Sequence, residues 1–301
     1  MEPDLHPPRE PVGLIGLGLM GGALAERLLA GGFPVLGFDL RPERLAEARA
    51  LGVATATGAA QVFNSCRRVL LSLFDSADVR SLLETLPDRR PPGQLLIDTT
   101  TGDAASAAET GRRLAARGVD YLDATISGNR EQLRRGEVTF MVGGPPAAYA
   151  ACLDLWTRLG AHHFHLGAWG TGAAMKLVSN LVLGLNRAAL AEGLALAAGL
   201  GLDPALSLAV LKASPAYSRM MDVKGDAMLR HDFTPVARLS QHLKDVRLIV
   251  AAGAAAGLPM PLSRAHQALL EQAEAAGLGD LDNAAILRVL EARATPPPPT
   301  P

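Results

Sequence analysis

The sequence predicts an α/β amino-terminal domain, built on a doubly wound and mostly parallel sheet, followed by an all-α carboxy-terminal domain. Three observations predict it. From residue 12 short apolar runs alternate with longer helical stretches, a glycine-rich turn sits at the first junction, and after Gly167 strand-like runs give way to Ala- and Leu-rich segments of helical spacing. At 301 residues the chain is long enough for two domains, each with its own apolar core.

The first strand is expected at 12–15, a helix at 23–30, a second strand at 35–38 and a second helix at 43–51. The rhythm continues with a strand at 69–73, a helix at 79–86, a strand at 95–98, a helix at 104–117 and a strand at 121–122. Apolar runs at 140–142 and 163–166 extend the same sheet. The helical domain has breaks at 199–203, 214–215, 233–235, 257–261 and 277–282, each rich in Gly, Pro or Asp, which leaves room for five or six helices. The division is therefore a loose extension at 1–11, the α/β domain at 12–167, the helical domain at 168–294, and a disordered proline-rich tail at 295–301.

Composition narrows the function classes. Charged residues make up 20% of the chain and nearly cancel, 29 basic against 30 acidic, and no basic stripe marks a nucleic-acid surface. A small ligand is the expected partner. Cys66 and Cys152 stand far apart without metal-ligand spacing, so neither a disulfide framework nor a zinc site is expected, and a reducing cytoplasm fits. The amino terminus has no apolar core behind a basic start, as a signal peptide would. The most apolar stretch, 177–202, is interrupted by Asn180, Asn186, Arg187 and Glu192, and reads as a buried helix rather than a membrane span. His162, His163 and His165 invite a metal reading, but strand alternation splits them between two faces and no Cys or Asp cluster completes a site. No metal is expected.

The turn Gly16-Leu17-Gly18-Leu19-Met20-Gly21 follows an apolar strand, opens a helix, and precedes a second strand that ends in Asp39. That context turns a weak glycine pattern into a Rossmann-type dinucleotide fingerprint. Gly16 permits the tight turn, Gly18 lets backbone approach a pyrophosphate, and Gly21 lets helix and strand pack closely. Leu19 and Met20 belong to the helix start, where unpaired N–H groups and the positive end of the dipole face the phosphates. Asp39 is placed to accept from ribose hydroxyls and to repel a 2′-phosphate, which favours NAD. Arg41, on the same loop, can contact a 2′-phosphate or stack on adenine, so NADP is the alternative.

With three further motifs the chain resembles the β-hydroxyacid dehydrogenase family, which includes 3-hydroxyisobutyrate dehydrogenases and tartronate semialdehyde reductases. These are Asp-Ala-Thr-Ile-Ser-Gly at 123–128, Gly-x-Gly-x-x-x-Lys-x-x-x-Asn at 170–180, and Lys244-Asp245. The resemblance covers nearly the whole chain and implies an active site in a cleft between a dinucleotide domain and an all-helical domain. It implies that 123–128 is a substrate-binding loop in which Ser127 and Gly128 hold a carboxylate, to which charge-assisted donors are suited. It implies that Lys176 is the catalytic lysine, acting as general acid and base on the substrate hydroxyl. Asn180 follows at i+4, so a helix brings both to one face. Lys244 and Thr101 match cofactor-contacting positions of the family; without the resemblance, Lys244 reads as a solvated charge and the threonines around Thr101 as a helix cap.

Asn129 and Arg130 depart from the family, where small or neutral residues follow the Ser-Gly pair. Both join the substrate-binding set, and Arg130 either binds a second anionic group of the substrate or faces water. The implied function is hydride transfer between NAD(P) and the β-carbon of a small 3-hydroxy acid or its semialdehyde, in a homodimer or homotetramer. Two rivals stand beside it. One is an NADPH-dependent imine reductase on the same scaffold, against which Lys176 argues; the other is a non-catalytic dinucleotide-fold binding module.

Overall fold

A computed structural model describes residues 9–86 and 90–292. Most of the extension expected at 1–11, and the whole tail at 295–301, lie outside the described residues. The chain divides into two compact units, one through Lys176 and one from Leu177.

The first unit runs β1 (Val12–Ile15), α1 (Leu19–Ala30), β2 (Val35–Phe38), α2 (Pro42–Ala50), β3 (Ala54–Thr55), α3 (Ala59–Ser65), β4 (Arg68–Leu71) and α4 (Ser76–Glu84). It continues with β5 (Leu95–Asp98), α5 (Ala104–Ala115), β6 (Asp120–Ser127), α6 (Arg130–Arg134), β7 (Thr139–Gly143), α7 (Pro146–Ala150), α8 (Leu153–Leu159) and β8 (His162–His165). The eight strands form one sheet in the order β3-β2-β1-β4-β5-β6-β7-β8, parallel throughout except where β7 runs against β6. The chain reverses direction across the sheet between β1 and β4, the place where such folds open a ligand crevice.

Alternation sorts the core. Val12 and Leu14 face one side with Leu24, Leu28, Ile97 and Trp156, whereas Ile15 faces the other with Phe63, Val69, Leu71 and Leu96. All four residues of β1 are buried, as a central parallel strand with both faces covered requires. Helix starts are set by side-chain caps: the Asp75 carboxylate accepts from Ala77 and Asp78 N–H at α4, and that of Asp103 from Ala105 and Ser106 N–H at α5.

The second unit takes up most of α9 (Thr171–Gly199), then α10 (Pro204–Ala213), α11 (Arg219–Leu229), α12 (Leu239–Ala255), α13 (Pro261–Ala275), a 3-10 turn (Asn283–Ala285) and α14 (Ile286–Glu291). Its core joins Leu190, Leu194, Met228, Leu243, Val246, Leu270 and Ile286. All five expected breaks fall at helix junctions, with Gly199 closing α9 and Pro261 opening α13. By length and composition α9 could cross a membrane, and 33% of its most apolar window is buried.

Two differences from the sequence reading bear on the site. The strand expected at 121–122 continues to Ser127, so most of the segment expected as a loop is strand. It pairs with β5 on one side and β7 on the other, and Asp123 and Thr125, which interrupt the apolar run, are buried polar residues with partners of their own. The short helices α3, α6, α7 and α8 were not legible, because five to seven residues carry too little periodicity.

Candidate active site

The glycine turn is built as the fingerprint requires. Gly16 sits at φ +91°, and a Cβ there would collide with the Ser72 carbonyl oxygen; a Cβ on Gly21 would collide with that of Gly16. Gly18 caps α1 without a side-chain bond, and no acidic residue occupies the first turn, so the helix start at Leu19 and Met20 carries no carboxylate of its own to oppose a bound anion. The nearest group to a Cβ on Gly18 would be the Arg41 guanidinium, at 3.5 Å. An open backbone, a helix amino terminus and an adjacent cation fit a dinucleotide pyrophosphate.

Asp39 anchors this turn from the end of β2. Its Oδ2 accepts the Leu17 N–H at 2.8 Å, and its Oδ1 accepts the Arg41 N–H at 2.9 Å and Nε at 3.3 Å. Burial alone would raise its pKa, but the backbone bonds from Arg41 and Leu17, with the Arg41 charge, outweigh burial and hold the carboxyl below its usual range. Asp39 therefore shapes the turn as well as standing where ribose hydroxyls are expected.

The second group of residues is assembled by the β6–α9 junction. Asp123 Oδ1 accepts the Gly170 N–H and Oδ2 the Ala173 N–H, both at 2.8 Å, while the Thr125 hydroxyl donates to the Gly172 carbonyl at 2.9 Å. Two strand side chains thus fasten the amino end of α9. One turn further on, Lys176 Nζ donates to the Ile126 carbonyl at 2.6 Å, and the lysine is only 9% exposed. Lys176, Ser127 and Gly128 are brought together by this bond. Gly128 holds φ +145° over Val138, a conformation that a side chain would strain.

Beyond Gly128 the chain enters α6 through a capping box. Asn129 Oδ1 accepts the Gln132 N–H, and Gln132 Oε1 accepts the Asn129 N–H, both at 2.9 Å. The Asn129 side chain is thereby engaged in the helix start, and Arg130 is the first helical residue, exposed.

In the helical unit, Asn180 Nδ2 donates to Asp245 Oδ2 at 3.0 Å, and both residues are buried. Lys244 lies beside them on α12, with Nζ 3.9 Å from Asp245 Oδ1. Thr101 is partly exposed at the end of β5. The threonines do not cap α5, a task that falls to Asp103; instead the Thr99 hydroxyl donates to the Leu71 carbonyl, and that of Thr100 accepts the Leu73 N–H.

Several contributing residues carried little signal in sequence. Asp123 and Asp245 stood inside quoted motifs without a role. Asp98 reads in sequence only as a strand end, yet its carboxylate accepts from Thr100 N–H and Tyr121 OH in a buried group beside Asp123. Burial lifts the Asp98 carboxyl to about 6 against the lowering effect of those bonds, and lifts the Tyr121 hydroxyl well above its usual value. These groups line a small open hollow with Ser76, Thr100, Asp103 and Ala173. The histidines of β8 serve packing: the His163 ring bonds the Tyr149 hydroxyl, and His165 Nε2 lies 2.8 Å from the Gly144 carbonyl oxygen.

Comparison with known proteins covers both units. Residues 11–167 match the model of the NAD binding domain of 6-phosphogluconate dehydrogenase, and residues 170–290 match that for NAD-binding of NADP-dependent 3-hydroxyisobutyrate dehydrogenase. L-threonate dehydrogenase of Cupriavidus necator is 32% identical, over 92% of this chain and 95% of its own length. 2-(Hydroxymethyl)glutarate dehydrogenase of Eubacterium barkeri is 29% identical, over 93% and 98%. The structure of 3-hydroxyisobutyrate dehydrogenase from Mycobacterium tuberculosis, with L-serine, superposes with a TM-score of 0.86 at 27% identity, covering 93% of this chain and 99% of that one. An imine reductase from a Pseudomonas species shares the fold less closely, with a TM-score of 0.64 at 24% identity over 94% and 99%.

Proposed function

The chain belongs to the β-hydroxyacid dehydrogenase family, and on that premise we propose that it oxidises a small 3-hydroxy acid, or reduces the matching semialdehyde, with Lys176 as general acid and base. That it is an NAD(P)-dependent hydroxyacid dehydrogenase follows from the family. The observation that carries the finer reading is the bond from Lys176 Nζ to the Ile126 carbonyl, which sets the lysine nitrogen beside Ser127 and Gly128.

A nicotinamide held by the glycine turn would supply the hydride acceptor or donor for the β-carbon. The chain's own residues do the rest. Ser127 and the backbone at Gly128 orient the substrate carboxylate, so that the hydroxyl is presented to Lys176. Lys176, as the neutral amine, takes the hydroxyl proton during oxidation and, as the ammonium, returns one during reduction. Asn180, oriented by Asp245, holds the substrate oxygen or the lysine in register. Gly16 to Gly21 hold the pyrophosphate, Asp39 favours NAD, Arg41 borders the adenosine end, and Thr101 and Lys244 keep their cofactor roles. Relatives named for L-threonate and 2-(hydroxymethyl)glutarate support a hydroxy-acid substrate. Two free buried cysteines support a cytoplasmic setting, and exposed Val178, Val182 and Leu196 on α9 support a homo-oligomer.

The test is reduction of NAD and of NADP against a panel of 3-hydroxy acids, with cyclic imines as the competing class. Turnover of hydroxy acids with NAD preferred upholds the reading. Turnover of imines alone transfers the chain to the reductase branch, and the absence of any hydride transfer points to a binding module.

A further inference from the structure

Arg130 occupies a defined place next to the proposed carboxylate site. The Asn129–Gln132 capping box fixes the start of α6, so Arg130 is its first residue. Helical Cβ bonds tilt toward the amino terminus, which leans the Arg130 stem back toward Gly128 and Ser127. Gly128 at φ +145° against Val138 keeps that approach rigid.

The local charges leave this guanidinium over. Glu26 and Glu131 both pair with Arg134, at 2.6 and 3.0 Å, and Glu137 pairs with Arg135 at 2.9 Å. Among the described residues Arg130 has neither an ion pair nor a hydrogen bond, and it is exposed. An unoccupied planar fork beside a carboxylate cradle is matched to a second oxyanion on the same substrate.

We propose that Arg130 selects 3-hydroxy acids bearing a second anionic group at the end remote from the carboxylate held at Ser127 and Gly128. This rests on the function proposed above. The experiment compares kcat/KM for 2-(hydroxymethyl)succinate, its phosphonate counterpart, and 2-(hydroxymethyl)butanoate, which differ in the distal group. The native enzyme prefers the dianions. Arg130→Gln reduces the dianion-to-monoanion ratio by about ten- to hundredfold, mostly through KM, and Arg130→Lys restores part of it. The two dianion arms show whether carboxylate or phosphonate is the better match.

A native enzyme without dianion preference, or a ratio unchanged in Arg130→Gln, overturns the assignment. Calorimetry with succinate and butyrate separates this from failure of the underlying reading. If no hydroxy acid is turned over, the dehydrogenase reading falls; succinate binding that depends on Arg130 still upholds the second-anion site, and equal binding to native and Arg130→Gln protein overturns it.

Discussion

The Ile126 carbonyl oxygen accepts from Lys176 Nζ at 2.6 Å, across 50 positions of sequence, and so joins the end of a sheet strand to the first turns of the longest helix. The bond depends on where α9 begins. That start is set by the two carboxylate oxygens of Asp123 on the Gly170 and Ala173 N–H groups.

Asp123→Ala should therefore act on both stability and turnover. Two buried N–H groups lose their acceptor, which costs about 1–3 kcal/mol in urea unfolding, and Lys176 shifts relative to Ser127. Turnover should fall at least about tenfold, since small misplacements of catalytic groups are costly. Asp123→Asn, which keeps one acceptor oxygen, should fall between. Unchanged kcat in Asp123→Ala would detach the cap from the catalytic geometry.

Asp98 makes a signed pH prediction. Its folded pKa, near 6, lies above that of an unfolded aspartate, so its contribution to stability is full below about pH 4 and is lost as pH rises through 6. Asparagine in its place still accepts from Thr100 N–H and can bond Tyr121 while carrying no charge. Between pH 4 and pH 7.5 Asp98→Asn should gain on the order of 2 kcal/mol relative to the native protein, as read by urea unfolding at both pH values. A pH-independent difference would place an ordinary, solvated carboxylate at this position.

Arg187 is 1% exposed, its Nε and Nη2 lack hydrogen-bond partners, and burial lowers its pKa to about 10. A buried cation without full pairing is costly, so Arg187→Met should stabilise the fold by about 1–3 kcal/mol in denaturant unfolding. Destabilisation of similar size would mean that attraction to the Asp282 carboxylate outweighs the cost of burying the guanidinium.

Much of this was legible in the sequence because the signals are local. The strand at 12–15, its glycine turn, and Asp39 at the end of the strand at 35–38 stand in order over a short stretch, and the fold keeps them there. The breaks of the helical unit were equally readable, since Pro204 and Pro261 can only open helices where they stand. What escaped was nonlocal or polar. Asp123, Thr125 and Asp98 are polar residues in a strand context, and only their partners on distant elements explain their burial. Asp245 gains meaning only through Asn180, 65 positions earlier. The capping box that Asn129 closes escaped as well, because the helix it opens is too short to carry a pattern.

The central claim is that Lys176 handles the substrate proton, and the measurement that tests it most directly is turnover of Lys176→Ala with cofactor affinity read in parallel. In that variant kcat should fall about 10²- to 10⁴-fold, with cofactor binding held within about twofold. Turnover at the native rate in Lys176→Ala would contradict it.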